Sequence, residues 1–182
     1  NLEVCQACTM AKAKQKNVVK ASEHVPSKDA NGRIHLDLAT VKSKEGLPKP
    51  TRPNWVIMVD ERTQLKFSTF HESKNGMVEP ACVQLDQWRQ SGKAVKNIRL
   101  DNAGENKLLK TRASSAAWKL NIKFEFTARD TPQHNHLAEL AFASIANKGR
   151  ALMIDANVPL AIRYQLFREA FQTATLLDGL VP

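Results

Sequence analysis

Between Arg33 and Phe126 the hydrophobic pattern repeatedly changes its period, and the order of those periods limits the fold more than any other feature. Arg33–Thr40 alternates, with Ile34, Leu36 and Leu38 apolar, as a strand with one buried face does. Gly46–Asn54 holds Pro48, Pro50 and Pro53 and reads as a loop. Trp55–Asp60 and Leu65–Phe70 read as two further strands joined by a tight turn at Glu61-Arg62-Thr63. Met77, Ala81, Leu85 and Trp88 then recur at helical spacing over 77–90, and Gly92 ends that segment. Ala94–Leu100 returns to strand, 107–119 to helix and Ile122–Phe126 to a short strand. After a polar stretch, Thr127–Asn135, the segments 136–154 and 160–177 read as long helices. The second turns Ile162, Leu166, Phe167, Ala170 and Phe171 inward. An antiparallel meander followed by strand–helix–strand units predicts an α/β domain, a mixed five-stranded sheet flanked by helices.

A length of 182 residues suits one such domain. With 42% hydrophobic and 25% charged residues, the chain is no disordered tail, collagen-like repeat or disulfide-rich miniprotein. No apolar run approaches the roughly 20 residues that span a bilayer, so no membrane partner is expected. The formal net charge of +9 points to a polyanion, nucleic acid first, although a generic basic domain remains an alternative on charge alone. Cys5, Cys8 and Cys82 are too few for a disulfide framework, and Cys82, in an apolar helix, reads as a small buried hydrophobe. Trp55, Trp88 and Trp118 read as core or semi-core. Residues 1–30 differ from the rest. They carry Cys5-x-x-Cys8, Lys12, Lys14, Lys16 and Lys20 with few large apolar side chains, and read as a basic arm or linker before a globular unit over 31–182. The opening Asn1-Leu2-Glu3 has no secretory pattern and suits a fragment or processed piece.

Three acids stand at positions where acids need a reason. Asp37 shares one face of its strand with His35, between two leucines, and acids are disfavoured in strands. Asp101 follows a strand, where α/β sheets place their binding groups, although Asp101-Asn102-Ala103-Gly104 is also good turn chemistry. Glu139 lies early in the long helix. On a wheel centred on Leu137, with Leu140, Ala141, Ile145, Lys148 and Leu152 nearby, it falls roughly opposite the apolar stripe. Two Asp on neighbouring strands and a Glu at a helix start suit two hard divalent cations, which clamp the attacking and leaving oxygens of an in-line phosphoryl transfer. Asp60 reads as a turn residue, and Glu105 as a residue that caps the helix after Asp101.

The blocks Arg33-Ile34-His35-Leu36-Asp37-Leu38, Ile98-Arg99-Leu100-Asp101-Asn102-Ala103-Gly104-Glu105 and Thr131-Pro132-Gln133-His134-Asn135-His136-Leu137-Ala138-Glu139 together resemble the catalytic core of retroviral-type integrases, copia-type retrotransposon integrases most of all. The 37 residues between Asp101 and Glu139 are close to the family's D,D-35-E spacing, and the resemblance runs from about Ile34 to Val181. It implies an RNase H-like fold and a polynucleotidyl transferase that trims the 3′ ends of element DNA and joins them to target DNA. Asp37, Asp101 and Glu139 would be its catalytic residues and would hold two Mg²⁺ or Mn²⁺ ions. Gln133 and Asn135 would lie on a flexible loop beside the DNA, with Lys148 and Arg150 also meeting it. The resemblance further implies DNA (element ends and target) as partner, a homo-multimer, and an intracellular location, nuclear for an active element. Cys5 and Cys8 match the last two ligands of a His-His-Cys-Cys zinc domain. Structural zinc needs four ligands, so Zn²⁺ is expected only where the upstream half is present. The chain departs from the family pattern at Ala103, His136, Leu140, Phe142 and Ala143. Two alternatives accompany this reading: a related RNase H-like nuclease or transposase, and a catalytically inactive nucleic-acid-binding remnant.

Overall fold

A computed structural model describes residues 25–127 and 135–180. Five strands, β1 (Arg33–Thr40), β2 (Asn54–Asp60), β3 (Lys66–His71), β4 (Asn97–Leu100) and β5 (Lys123–Phe126), form one sheet in the order β3-β2-β1-β4-β5. The first three make an antiparallel meander, while β4 runs parallel to both β1 and β5. Among the described residues four α-helices cover the sheet: α1 (Val78–Gln90), α2 (Gly104–Ala113), α3 (His136–Asp155) and α4 (Leu160–Leu180). The mixed five-stranded α/β architecture expected from the sequence is the one observed.

The two faces of the sheet follow from period-2 alternation. Ile34 and Leu36 of β1, Val56 and Met58 of β2, and Ile98 and Leu100 of β4 pack with Val78, Ala81, Cys82 and Leu85 of α1 and Leu109 and Ala113 of α2. On the other face Trp55, Ile57, Val59 and Phe70 pack against Ala138, Ala141, Ile145 and Met153 of α3 and Phe167, Phe171 and Ala174 of α4. Strand β2 is buried along its whole length, which explains its unbroken apolar run. Trp55 and Cys82 are core, and Trp88 and Trp118 pack half-buried at its edge, as expected. Burial pushes the Cys82 thiol up to about 11.

Helix α1 ends where the sequence says. Gly92 adopts φ +77°, its N–H donates to Arg89 O (3.1 Å), and the Lys93 N–H donates to Trp88 O (2.8 Å). Those two bonds close a Schellman motif, which favours glycine because of its left-handed backbone.

Three helix expectations shift. Helix α2 spans 104–113 rather than 107–119. Asp101 Oδ1 accepts the Ala103 N–H at 3.1 Å and starts the helix early, and the chain leaves it at Ser114. The buried stripe of α3 is Ala138, Ala141, Ile145, Gly149 and Met153, rotated by roughly 80° from the expected one. Leu140 is 63% exposed as a result. Small residues decide this, because they admit the closest approach. A Cβ built on Gly149 would lie 2.2 Å from Phe171 Cδ1, so α3 and α4 meet at a distance only glycine allows. In α4, Phe167 and Phe171 point inward as expected, but Ile162 and Leu166 are exposed, and Ala174 and Thr175 complete the buried side.

Candidate active site

The three acids reach one region by different routes. Asp37 lies in β1, on the face covered by α3 and α4, opposite Ile57 in the β1–β2 register. Strand β4 pairs parallel with β1 through Ile34↔Ile98 and His35↔Arg99. Continuing that register by two residues brings Asp101, just past the end of β4, level with Asp37. Glu139 sits in the first turn of α3. It flanks the buried stripe of that helix instead of opposing it, is itself exposed, and lies near enough to Asp37 for its charge to act on that carboxyl. The start of α3 is itself tied to β1, since Asn135 Nδ2 donates to Leu36 O at 3.1 Å. Glu139 is one helical turn beyond that anchor, on the same side.

The electrostatics register this convergence. Burial, helped by the negative charges of Asp101 and Glu139, raises the Asp37 carboxyl to about 6, against the Leu38 N–H that donates to it at 2.8 Å. A carboxylate raised by two others binds a cation readily, because the cation relieves all three. Their oxygens are the hard donors that Mg²⁺ prefers. Among the described residues, no three acid, His or Cys side chains are already gathered as a closed set of metal ligands.

Two asparagines brace this region, Asn106 by bonding Asp101 and Asn135 by tying the start of α3 to β1, and sequence reasoning missed both roles, expecting Asn135 on a loop beside DNA. Asn106, 1% exposed in the first turns of α2, donates through Nδ2 to Asp101 Oδ1 at 2.5 Å, while its own Oδ1 is buried without a partner. A polar residue on the inner side of α2, five positions after an Asp, was the available signal. Asn135, 7% exposed, spends its amide on β1. Besides the bond to Leu36 O, its Oδ1 lies 3.2 Å from His35 Nδ1. The other nitrogen of that ring, Nε2, faces Glu61 Oε1 at 3.3 Å. Burial, opposed by the Glu61 and Asn135 contacts, keeps His35 below its ordinary pKa. Beyond Glu61 the polar chain continues. Arg33 bonds Glu61 and Glu125, each at 3.1 Å, and Arg99 bonds Glu125 at 3.1 Å, which joins β1, β4 and β5.

The other expected residues separate. Lys148 pairs with Asp178, which also takes Lys66 at 2.6 Å, and Arg150 Nη2 donates to Asn147 Oδ1 at 2.6 Å. Asp60 has the turn role expected of it, accepting from the Asn31 N–H (3.0 Å), the Thr63 N–H (3.1 Å) and Thr63 Oγ1 (2.5 Å). Glu105 makes no side-chain cap and lies 4.0 Å from Lys74 Nζ in the first turn of α2. Gln133, Cys5 and Cys8 lie outside the described residues.

This arrangement of sheet and helices, an RNase H-like α/β fold, is shared with solved structures. A chain in the simian T-cell lymphotropic virus intasome in complex with the PP2A regulatory subunit B56 gamma superimposes with a TM-score of 0.65 at 15% identity, covering 98% of this chain and 58% of that one. The HTLV-2 integrase catalytic core domain in complex with magnesium, a trimeric form, gives 0.57 at 14% identity, covering 84% and 87%. By fold, then, the chain is similar to these solved chains. In sequence it is 30% identical over 136 residues to the retrovirus-related Pol polyprotein from transposon TNT 1-94 of Nicotiana tabacum. That match takes in 72% of this chain and 9% of the polyprotein, so the chain spans about a tenth of its relative. No family model matches.

Proposed function

We propose that the chain is the catalytic core of a copia-type retrotransposon integrase, a polynucleotidyl transferase that processes the 3′ ends of element DNA and transfers them to target DNA. The observation that carries this is the placement of the acids. Asp37 stands mid-strand, Asp101 at the end of the neighbouring parallel strand, and Glu139 one turn past the point where Asn135 fastens α3 to β1. These three would hold two Mg²⁺ or Mn²⁺ ions, which when bound supply Lewis-acid stabilisation of the attacking and leaving oxygens. The protein's own part is to hold the carboxylates rigidly and to position DNA. Asn106 and Asn135 serve the first task. The excess of basic residues, with Gln133 and Arg150 near the acids in sequence, serves the second. Lys148 would contribute once released from Asp178.

In the element, Zn²⁺ at Cys5 and Cys8 would need the two upstream histidines, and the working form would be a homo-multimer in the nucleus. Leu176, Leu177 and Leu180, exposed on α4, supply apolar surface for self-association. Among the described residues no helix is long and apolar enough to cross a membrane. The leading alternative is a DNA-binding remnant without catalysis, which the apolar Leu140, Phe142 and Ala143 beside Glu139 favour.

The deciding experiment is nicking and strand transfer of a labelled duplex with Mn²⁺, comparing this chain with Asp101→Asn. Activity in the first and background in the second is the expected result. Salt-sensitive DNA binding by both, with no metal-dependent cleavage by either, overturns the enzyme reading in favour of the remnant.

A further inference from the structure

Asn135 stands at the N-cap of α3, where an asparagine side chain ordinarily accepts a backbone N–H of the first helical turn. It makes no such cap here. Its amide turns to β1 instead: Nδ2 donates to Leu36 O at 3.1 Å, and Oδ1 faces His35 Nδ1 at 3.2 Å. The Leu36 carbonyl can only accept, so it fixes which way the amide points. Oδ1 can only accept as well, and the His35 ring therefore donates through Nδ1. A helix start that forgoes its own cap for two bonds to a strand is placed by that strand.

His35 is itself held from behind. It is 1% exposed and stands next to Asp37 on the same face of β1. Its Nε2 lies 3.3 Å from Glu61 Oε1. The other oxygen of that carboxylate, Oε2, accepts from the Ser27 N–H at 2.6 Å and from Arg33 Nη1 at 3.1 Å. Two donors on one oxygen keep the other aimed at the ring. The contacts thus run from Glu61 through His35 to Asn135, and Glu139 follows Asn135 by one turn of α3. A ring this deeply buried, with both nitrogens engaged, leaves the start of α3 little freedom to shift.

We infer that His35 is a positioning residue: with Glu61 behind it, it holds Asn135 against β1 and so sets where α3 begins and where Glu139 stands relative to Asp37. That Glu139 then serves a metal ion rests on the integrase reading above. His35 acts through the start of α3 and not on a reacting group.

The test separates the two ring nitrogens. Asparagine in place of His35 keeps a donor near the position of Nδ1, whereas glutamine reaches the position of Nε2 and leaves Asn135 Oδ1 without its donor. Amide hydrogen exchange is followed at Glu139 and Leu140, in the first turns of α3, on the whole chain without divalent metal. His35→Gln is expected to speed exchange there about 2- to 10-fold, the scale of one lost hydrogen bond, and His35→Asn to keep the wild-type rate. With Mn²⁺ added, His35→Gln should bind the ion about 10- to 100-fold more weakly, as loss of an outer partner does, while His35→Asn retains most of the affinity. Asn135→Ala should reproduce the faster exchange, and joining it to His35→Gln should add nothing further. Unchanged exchange in Asn135→Ala overturns the inference, whether or not His35→Gln folds. Equal losses in His35→Gln and His35→Asn overturn it too, since a merely structural role would not tell the two nitrogens apart. Asp101→Asn separates this inference from the enzyme reading, because it is expected to lose nicking with Mn²⁺ yet leave exchange at both amides unchanged. The expected exchange pattern in a wild type that never nicks DNA would leave the hold on α3 standing and remove the enzyme.

Discussion

The two faces of this sheet are built on different principles. The face under α1 and α2 is apolar from β2 across β1 to β4, and Phe124 and Phe126 extend it onto β5. The opposite face is apolar only over β2 and β3, where α3 and α4 lie on it. Over β1, β4 and β5 it changes to His35, Arg33, Arg99, Glu61 and Glu125, linked by ion pairs and hydrogen bonds. The acids stand at that boundary. A carboxylate inside the first face would have no compensation, whereas one in open water would keep an ordinary pKa. At the boundary Asp37 is desolvated enough to be raised to about 6 while still reachable. A fully apolar face serves stability, and a half-covered one leaves room for chemistry.

That contrast can be broken by substitution. Leu85→Ala, on the closed face, is expected to cost about 2–5 kcal/mol in denaturant unfolding, the price of a cavity at a fully buried leucine. Activity per folded molecule should be unchanged, and a drop in it would mean that the closed face also governs the site. Gly149→Ala tests the other face. Its methyl group must displace Phe171, so a loss of about 1–3 kcal/mol is expected despite the better helix propensity of alanine. A stabilised variant would show that α3 and α4 are packed more loosely than their contact implies. Asn106→Ala removes the donor that fixes Asp101. It should reduce metal-dependent nicking about 10- to 100-fold, the usual effect of losing a residue that orients a metal ligand. Raising the Mn²⁺ concentration should recover part of this, and a thermal midpoint that falls in proportion would point to a merely structural role.

The smallest effect concerns pH. Burial works against ionisation of Asp178, but hydrogen bonds and charge from Lys148 and Lys66 hold its carboxyl below the ordinary aspartate value of 3.8. A depressed pKa contributes stability that is present above 3.8 and lost as pH falls through the folded value. Asp178→Asn should therefore cost at most about 1 kcal/mol at neutral pH, because Lys148 is half exposed and screened. The two proteins should converge in strong acid. A difference that persists there would assign the effect to packing.

Legibility followed the range of the interactions. Strands β1, β2, β3 and β5 were readable to within a residue, since alternation and turn residues are local signals. Strand β4 came out shorter, beginning at Asn97, because pairing with β1 and β5 sets its length. The end of α1 was readable from Gly92 alone. The face of α3 was not, because Leu137 and Leu140 look like core in isolation, while the actual contact is made by Ala138, Ala141 and Gly149. Hydrophobicity ranks leucine first, but close approach of a helix to a sheet and to a second helix favours the smallest side chains.

The candidate site divides in the same way. From the sequence alone came Asp37, Asp101 and Glu139 as acids in unusual positions, a basic chain, and the α/β order that puts two of them on neighbouring strands. Only the tertiary structure could bring the charge of Glu139 near Asp37, give Asn106 and Asn135 their holding roles, commit Lys148 to Asp178, and open an aromatic cavity between α3 and α4. Apart from the Asn106–Asp101 bond, those features depend on contacts between residues tens of positions apart in the chain. Such contacts form when packing brings distant elements together, and no local periodicity encodes them.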